Sequence, residues 1–575
     1  MKLNAFLTSG AAAGALLVTA LPVLAQTPPV VPQYNIGDAV RQADEARQAA
    51  PQSREAAVPV LPRLVEPPFT LKDKSTLLVR HFKVEGAELV SEAEIRDIVA
   101  PYENRKLTLA QIYEAADRIT TLYRDRGYLL AKAYVPAQNA TRGTLKIKVV
   151  PGRYGAIALQ NNSLVRDAYL HGVIDHALAG AALIHKDQLE STMLLISDLP
   201  GAGMPRVAVS SGRQPETSDF VFKVPATRRV DGYLLGDNFG SPYTGRNRLS
   251  GGLNLNSPLG IGDRLSAFGI VSEDTHLVNG RIAYSLPIGY TGLRAEVAAF
   301  RTTYTLGGIY NDLNATGTAD GGSATLTYAL RRTREDSIYI FGGYTHKALN
   351  DTVLGTSIAN RSMDLGAVGV TRATLGAILG HPVTTSTTFS FTGGYLAFPD
   401  PVQKAINIAG ANTVGDYQKV NLTFNSILAL TDRLSLSADI RAQKSLSGNL
   451  DTSEQLSLTG IWGVRSFDEG LAGDSGFIIT PELKYALPDI RNYRHSIGVF
   501  TDVGAAWIEN AAYTTLQKAY TQINDVGLGY YATYEYLPGR ALLLKAMVAH
   551  SYGSNDGAKS YDRGTKGLVQ IGATF

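Results

Sequence analysis

The 575-residue sequence has no cysteine and no apolar run long enough for a membrane-spanning helix. The absence of cysteine excludes disulfide bonds and thiolate metal sites. The apolar run within residues 11–24 is shorter than the roughly 20 residues that a spanning helix needs. If the mature chain crosses a membrane, it must therefore do so as a closed β-barrel.

The chain also lacks a large net charge, because its 54 Lys and Arg residues nearly balance its 51 Asp and Glu residues. This balance gives no reason to expect a nucleic acid as partner. No Gly-rich loop ending in Lys-Ser or Lys-Thr occurs, so we expect no nucleotide as fuel. His171 and His176 are five residues apart, hence on different faces of a helix, and predict no metal pair.

One short segment is typical of a nucleophile loop and has to be weighed. Gly473-Asp474-Ser475-Gly476 has the spacing seen around a catalytic serine, but no His or Asp motif of such an enzyme accompanies it. We interpret the segment as a turn. The sequence therefore predicts neither an enzyme nor a cofactor nor a metal.

The first 25 residues have the pattern of a secretory signal peptide. Lys2 precedes the apolar run, and Val23-Leu24-Ala25 provides a small-residue cleavage site. Residues 26–76 then form a proline-rich linker. Within it Asn35 can cap a short helix that carries its apolar residues on one side: Ile36, Ala39, Val40 and Ala43. The pattern leaves open whether this helix docks or stays transient.

Residues 77–153 predict a small α/β domain, and residues 154–228 repeat it. Ser91 and Thr108 begin capping boxes, each at the start of an amphipathic helix, and strands with alternating polarity follow. The repeated order of strand, helix, helix, strand, strand resembles the periplasmic POTRA domain, which is a binding module. The strand expected to offer a free edge to an extended partner segment consists of Ala131, Lys132, Ala133, Tyr134 and Val135.

Residues 229–575 predict an antiparallel barrel of about 16 strands. Helix periodicity disappears there, and short amphipathic strands alternate with Gly, Asn, Asp and Pro. The last residues alternate apolar and small side chains and end on Phe575, which is typical of the closing strand of an outer-membrane barrel. We interpret Phe575 as a signal for barrel closure and assembly. A soluble β-sandwich or propeller is the alternative.

Charged residues in this region are costly unless they pair or face water. Period two places Asp502 on the same strand face as Phe500 and Gly504, and on the opposite face from Val499 and Val503. With the valines toward lipid, Asp502 points inward. The same argument turns Glu482 inward on the preceding strand, so both carboxylates can reach Arg465.

These features resemble the TpsB, or haemolysin-activator, family of two-partner secretion transporters. The resemblance rests on three clusters: Asp237–Gly240 with Asn256–Asp263, Val464-Arg465-Ser466-Phe467, and Gly476 and Glu482 with Phe500-x-Asp502-x-Gly504. In that family a Val-Arg-Gly-aromatic loop tip folds back into the barrel. The resemblance implies a lock between loop and barrel made by Val464, Arg465, Phe467, Glu482, Phe500, Asp502 and Gly504. Ser466 replaces the family's glycine, which predicts an ordinary backbone angle at the tip.

The resemblance also implies location and function. It places the barrel in the lipid of a Gram-negative outer membrane, inserted there by the barrel assembly machinery, with two POTRA domains in the periplasm. Its cargo would be a TpsA-like exoprotein, captured unfolded and conducted outward. The sequence leaves open whether that partner is an adhesin, a cytolysin or a growth inhibitor, and whether secretion activates it. The alternative within the superfamily is a factor that assembles other barrels.

Overall fold

The computed structural model describes residues 34–48, 51, 75–139, 143–468, 470–511, 519–553 and 564–575. The predicted signal peptide lies outside these residues, as does most of the predicted linker. From the linker the described part includes helix α1 (Ile36–Gln48). Among the described residues, we find no helix that combines the length and the hydropathy required to cross a bilayer.

The first α/β domain has a three-stranded sheet with two helices and a separate two-stranded sheet. Its elements are β1 (Thr76–Val79), β2 (His81–Glu85), α2 (Glu92–Val99), β3 (Arg105–Thr108), α3 (Leu109–Asp125), β4 (Lys132–Tyr134) and β5 (Thr144–Val150). Strand β5 lies between β2, which is parallel to it, and the antiparallel β4. Ser91 and Thr108 cap α2 and α3 as predicted. The Ser91 hydroxyl also holds the pKa of the Glu94 carboxyl below its usual range.

The second α/β domain repeats this order. It contains β6 (Arg153–Asn161), α4 (Asp167–Leu178), α5 (Lys186–Ser197), β7 (Arg206–Ser211) and β8 (Thr217–Val224). Strand β8 lies between the parallel β6 and the antiparallel β7. Both helices cover the sheet with fully buried side chains, including Leu170, Ile174 and Met193, which meet Phe220 and Phe222 of β8. This packing is the core that the predicted helix periodicity requires.

Sixteen antiparallel strands of the described chain form a closed barrel, in which β26 pairs with β9. In chain order the elements are β9 (Val230–Asp237), β10 (Arg248–Asn256), β11 (Arg264–Ser272), β12 (Leu277–Ile288), β13 (Leu293–Thr305), β14 (Thr316–Arg332), β15 (Asp336–Val353), β16 (Thr356–Ile378), β17 (His381–Ala397), α6 (Pro401–Ala409), β18 (Gly415–Ala429), β19 (Leu434–Ser445), the loop strands β20 (Leu456–Ser457) and β21 (Ala472–Gly473), then β22 (Ser475–Ala486), β23 (Tyr493–Trp507), β24 (Tyr520–Leu537), β25 (Arg540–Ser551) and β26 (Thr565–Thr574). The predicted fold, α/β repeats followed by a barrel of about 16 strands, is confirmed.

Alternation along the barrel strands separates a lipid-facing side from a lumen side. Val499 and Ile571 are 53% and 60% exposed, whereas Asp502 is fully buried. Several strands are longer than the apolar pattern predicts, up to 23 residues in β16. At one end these strands continue as paired polar residues, such as Asn350 opposite Asn360. Apolar alternation marks only the part of a strand that faces lipid, and the sequence pattern therefore underestimates the length.

Helix α1 lies inside the barrel, against β11 to β15. Its apolar side packs on lumen residues that include Tyr304 and Leu349. The backbone N–H of Ile36 donates to Asp351 at 2.8 Å, and Asp351 also binds Arg361 at 2.7 Å. Of the two possibilities that the sequence left open, a docked or a transient helix, the structure has the docked helix.

Candidate functional site

The loop between β19 and β22 returns into the barrel and is first held by acidic residues. A single 3-10 turn (Thr452–Glu454) places the Glu454 carboxylate between Lys347 of β15, at 2.8 Å, and Lys419 of β18, at 2.9 Å. Asp451 binds Arg361 at 2.7 Å. Glu454 is buried, and the side chain of Asp451 is 8% exposed. These contacts fix the first part of the loop to one sector of the wall, and the sequence did not predict them.

This first part of the loop also holds α1. The Arg41 guanidinium donates to the carbonyl oxygen of Thr452 at 2.6 Å, and the Thr452 hydroxyl donates to Asn35 at 2.6 Å. Glu45 lies 3.6 Å from Arg441 on β19. The helix and the loop therefore contact each other as well as the wall.

The loop tip brings Arg465 to the strands that the sequence selected. Its Nε lies 3.0 Å from a carboxylate oxygen of Asp502, and its Nη1 lies 3.8 Å from Glu482. The guanidinium carbon lies 3.7 Å from the centre of the Phe500 ring, a cation–π contact. Arg465 is 7% exposed. The guanidinium therefore meets two carboxylates and an aromatic face in a site that is shielded from solvent.

Two backbone N–H groups of the tip are bound by a pair of neighbouring aspartates. Arg465 N–H donates to Asp502 at 3.3 Å, and Ser466 N–H donates to Asp525 at 2.7 Å. Asp525 lies directly opposite Asp502 across β23 and β24. Asp525 was not among the predicted site residues, although Asp525-Val526-Gly527 repeats the Asp-x-Gly spacing of Asp502-Val503-Gly504. That repetition on the adjacent strand was a usable signal.

Ser466 adopts the ordinary backbone angle that its side chain predicts, since its φ is not positive. The residues on either side of the Arg465–Ser466 pair, Val464 and Phe467, are fully buried in an apolar cluster with Leu458 and Ile478. This cluster anchors the tip without any charge.

Gly504 leaves the space into which the tip fits. A Cβ atom placed on Gly504 would lie 3.1 Å from a methyl group of Val464 and 3.4 Å from one of Leu458. The absence of a side chain at this position therefore permits the close approach of loop and strand.

Glu482 has other partners besides Arg465. Its carboxylate accepts a hydrogen bond from the Tyr531 hydroxyl at 2.5 Å and lies 3.4 Å from Lys484. Since Arg465 is closer to Asp502 than to Glu482, Glu482 is the secondary acceptor of the loop arginine.

The predicted substrate edge, Ala131 to Val135, lies at the edge of its sheet, but its outward N–H groups are already used. Ala131 N–H donates to the carbonyl of Tyr128 at 3.0 Å, and Ala133 N–H donates to the Thr120 hydroxyl at 2.9 Å. The side chains of Ala131 and Ala133 are buried, and Val135 packs against the same core. Lys132 is exposed, and Tyr134 and Val135 are partly exposed. Strand addition at this edge would have to displace the contact of Ala133 with α3.

Phe575 lies at the closing seam of the barrel. Its backbone N–H and C=O exchange hydrogen bonds of 2.9 Å and 3.0 Å with Gly232 at the start of β9. The residue is 40% exposed. The chain thus pairs up to its final residue.

The segment interpreted as a turn is a bend at Asp474 alone, because Gly473 ends β21 and Ser475 begins β22. Asp474 is fully buried and accepts backbone N–H groups of Leu450 and Glu509 at 2.9 Å and 3.0 Å. Ser475 bonds to the Glu509 carboxylate. Within the described part of the chain, no group of three or more His, Asp or Glu side chains is placed to hold a metal.

Comparison with known families identifies the fold and its function. The sequence model described as haemolysin secretion/activation protein ShlB/FhaC/HecB matches residues 216–524, more than half of the chain. The chain belongs to this family. The model for the ShlB-type POTRA domain matches residues 77–152 of this ShlB/FhaC/HecB member.

Relatives with known roles agree. The heme/hemopexin transporter protein HuxB of Haemophilus influenzae (strain 86-028NP) is 27% identical over 451 residues, covering 77% of this chain and 79% of HuxB. The outer membrane transporter CdiB of Escherichia coli is 25% identical over 418 residues, covering 70% of this chain and 68% of CdiB. The solved structure of CdiB from Escherichia coli superposes with a TM-score of 0.70 at 20% identity, covering 95% of this chain and 99% of that one.

The ShlB/FhaC/HecB member described here is therefore an outer-membrane transporter of two-partner secretion, with its POTRA domains in the periplasm and a secreted exoprotein as its cargo. The relatives favour this function over the assembly of other barrels, which was the alternative. The family to which the sequence motifs were assigned is confirmed.

Proposed function

We propose that this transporter closes its own lumen at rest with α1 and the returning loop, and that the partner passes once both are displaced. The observation that carries the proposal is the occupation of the lumen by two elements bonded to different sectors of the wall. Asp351 and Lys347 hold one side, whereas Asp502 and Asp525 hold the loop tip. Both elements are joined to the wall by polar contacts, which water can replace.

The contact between Arg465 and Asp502 is the proposed lock. Within about 4 Å and at an effective dielectric of about 20, one such pair gains roughly 4 kcal/mol of attraction, of which desolvation offsets a large part. Because the attraction exceeds the desolvation cost only modestly, the ion pair holds the loop at rest and can still be broken. The residues proposed to act together are Val464, Arg465, Phe467, Glu482, Phe500, Asp502, Gly504 and also Asp525.

Capture of the unfolded partner is assigned to the POTRA domains, with an edge strand pairing to an extended segment. Strand β7 supports this better than β4. It lies at the edge of the second sheet, and in the described residues its only ladder is the one with β8. The proposed transport is passive and involves no covalent chemistry. The driving force is the folding of the partner outside.

The test of this function removes the gene and compares the medium with the envelope. We expect one large exported protein to disappear from the medium, while the set of outer-membrane proteins stays unchanged. Supplying the gene again should restore the secreted protein. Loss of many outer-membrane proteins instead would show a role in barrel assembly and would contradict the proposal.

A further inference from the structure

A further charged residue of the returning loop, Asp468, binds two cations outside the lock. Its carboxylate accepts two hydrogen bonds from the Arg246 guanidinium, at 2.9 Å and 2.7 Å, and lies 2.7 Å from the Lys566 ammonium. Arg246 belongs to the segment between β9 and β10, and Lys566 lies in β26. Asp468 is 7% exposed and the Lys566 side chain 13%, whereas the Arg246 side chain reaches solvent with 41% of its surface. Bidentate arginine contacts of this kind fix orientation as well as distance.

These two cations flank the seam where the barrel closes. Strand β26 has ten residues, but its ladder with β9 joins only residues 570–574 to residues 233–237. Thr565 to Val569, toward the extracellular end, have no residue of β9 opposite them. The closing seam is therefore paired along about half of β26.

Along the part of β26 that β9 does not reach, Asn238 forms hydrogen bonds that a longer β9 would otherwise form. Asn238 N–H donates to the carbonyl of Val569 at 3.2 Å, and its side-chain amide donates to the carbonyl of Gly567 at 3.0 Å. The side-chain oxygen of Asn238 accepts the Val569 N–H at 2.8 Å. A single side chain thus satisfies groups that a continued strand would bind. Such an arrangement is easier to open than a full ladder, because fewer bonds join the two sides.

Apolar packing connects the same place with the lock. Phe239, which follows Asn238, is buried with Leu568 of β26 and with Phe500, whose ring faces Arg465. A displacement of the loop tip would therefore disturb both the apolar contacts and the ion pairs beside the closing seam.

We infer that Asp468 is a positioning residue that fastens the returning loop to both sides of the barrel's closing seam, so that displacement of the loop loosens the seam. Without the carboxylate, Arg246 and Lys566 face each other as like charges. The inference goes beyond the proposed function, which concerns the lumen, because it makes the stability of the wall depend on the loop.

Hydrogen–deuterium exchange of the full-length protein in lipid nanodiscs tests the inference. In Asp468→Ala we expect the amides of residues 564–575 and 230–240 to exchange at least about tenfold faster, a factor that corresponds to about 1.4 kcal/mol of local opening. Amides of β16 and β17, on another part of the wall, should keep their rates. Asp468→Glu retains the charge and should restore most of the protection, which a purely steric role would not allow.

A matched control removes a carboxylate from another part of the barrel. Asp364 of β16 is bonded to Tyr344 and His346 on the outside, and Asp364→Asn should leave the seam amides unchanged. If Asp468→Ala does not give a heat-modifiable barrel, Lys566→Gln carries the test, because it keeps the bond to Arg246. It should accelerate exchange at the seam in the same direction but by a smaller factor.

Three results would overturn the inference. The first is exchange at the wild-type rate at the seam in Asp468→Ala or, where that variant does not fold, in Lys566→Gln. The second is faster exchange in loop residues 456–474 while the seam is unchanged. The third is an equal acceleration of exchange in all strands. None of these measurements uses secretion, so the inference and the proposed function fail independently.

Discussion

The residues at the loop tip show how one cation can hold several acceptors. Arg465 contacts Asp502 and Glu482, and the neighbouring Asp525 is bound through the backbone N–H of Ser466. Two carboxylates that face each other across strands repel when both are ionised. The arginine is therefore needed both to hold the loop and to make the paired aspartates tolerable in a buried site.

Replacement of Arg465 by alanine should release the loop without unfolding the barrel. Loss of one partner from a buried ion pair typically costs about 3–5 kcal/mol, and here the cost falls on the loop contact. We expect less partner in the medium and faster proteolysis within residues 456–474, with heat modifiability retained. Arg301→Ala removes an exposed ion pair with Asp320 and serves as control. Normal secretion by Arg465→Ala would show that the lock has no role in transport.

Replacement of Gly504 by valine tests the same contact by packing instead of charge. Its Cβ would press on the methyl groups of Val464 and Leu458, and overpacking of this kind costs about 1–3 kcal/mol. Proteolysis of the loop should become faster although Arg465 and Asp502 remain. Gly280→Val is the matched control, because a Cβ on Gly280 meets no atom within 4 Å. Equal protease resistance of both variants would contradict the close fit.

For individual residues, the sequence predicted part of the site. Period two along β23 and β22 correctly turned Asp502 and Glu482 inward, because a strand permits only two faces. It could not reveal Asp468, whose partners Arg246 and Lys566 lie far away in the chain. Pairing at such separation depends on barrel closure and leaves no local periodicity.

Among the elements, α1 is the one whose position could least be predicted from the sequence around it. Its helical pattern and the cap at Asn35 were readable, since both are local. Its docking was not, because the partners Asp351 and Tyr304 lie more than 250 residues away, on strands that only the closed barrel brings to the helix. The short strands β1 and β3 were missed for a related reason, as four residues give too little alternation to recognise.

Deletion of residues 34–48 should enlarge the open path through the barrel. The helix fills lumen space beside β11 to β15, and its removal also takes away the bonds of Arg41 to the loop. We expect a several-fold higher conductance in planar bilayers. Deletion of α6, which has no buried residue, is the control and should leave conductance unchanged. An unaltered conductance after loss of α1 would mean that the helix does not limit the pore.

At the scale of the whole molecule, the second α/β domain is fastened to the barrel by an ion pair. The Arg332 guanidinium at the periplasmic end of β14 binds the Asp198 carboxylate after α5 through two bonds, at 2.8 Å and 2.9 Å. The Tyr169 hydroxyl adds a bond to the carbonyl of Gly289 at 2.5 Å. The Arg166 N–H also donates to the carbonyl of Gly260 at 2.8 Å, so several polar contacts set the position of this domain.

Arg332→Ala should let this domain move relative to the barrel. Spin labels on cysteines introduced at the exposed Asp175 and Asp432 would report the distance between domain and barrel, without interference from native cysteine. We expect a broader distance distribution in the variant. Arg331→Ala, which removes the neighbouring contact with Asp336, should keep the narrow distribution. Identical distributions for both variants would show that the Arg332 contact does not position the domain.

Removal of the loop would also change the electric character of the channel. Glu454 leaves with the loop, so Lys347 and Lys419 are exposed as two cations on β15 and β18. Arg465 leaves as well, so Asp502 and Asp525 are exposed as two anions on β23 and β24. An emptied lumen would then have a transverse field between a positive and a negative sector. A polypeptide in transit would then meet charged wall residues of both signs, which attract its own charged side chains from opposite sides of the lumen.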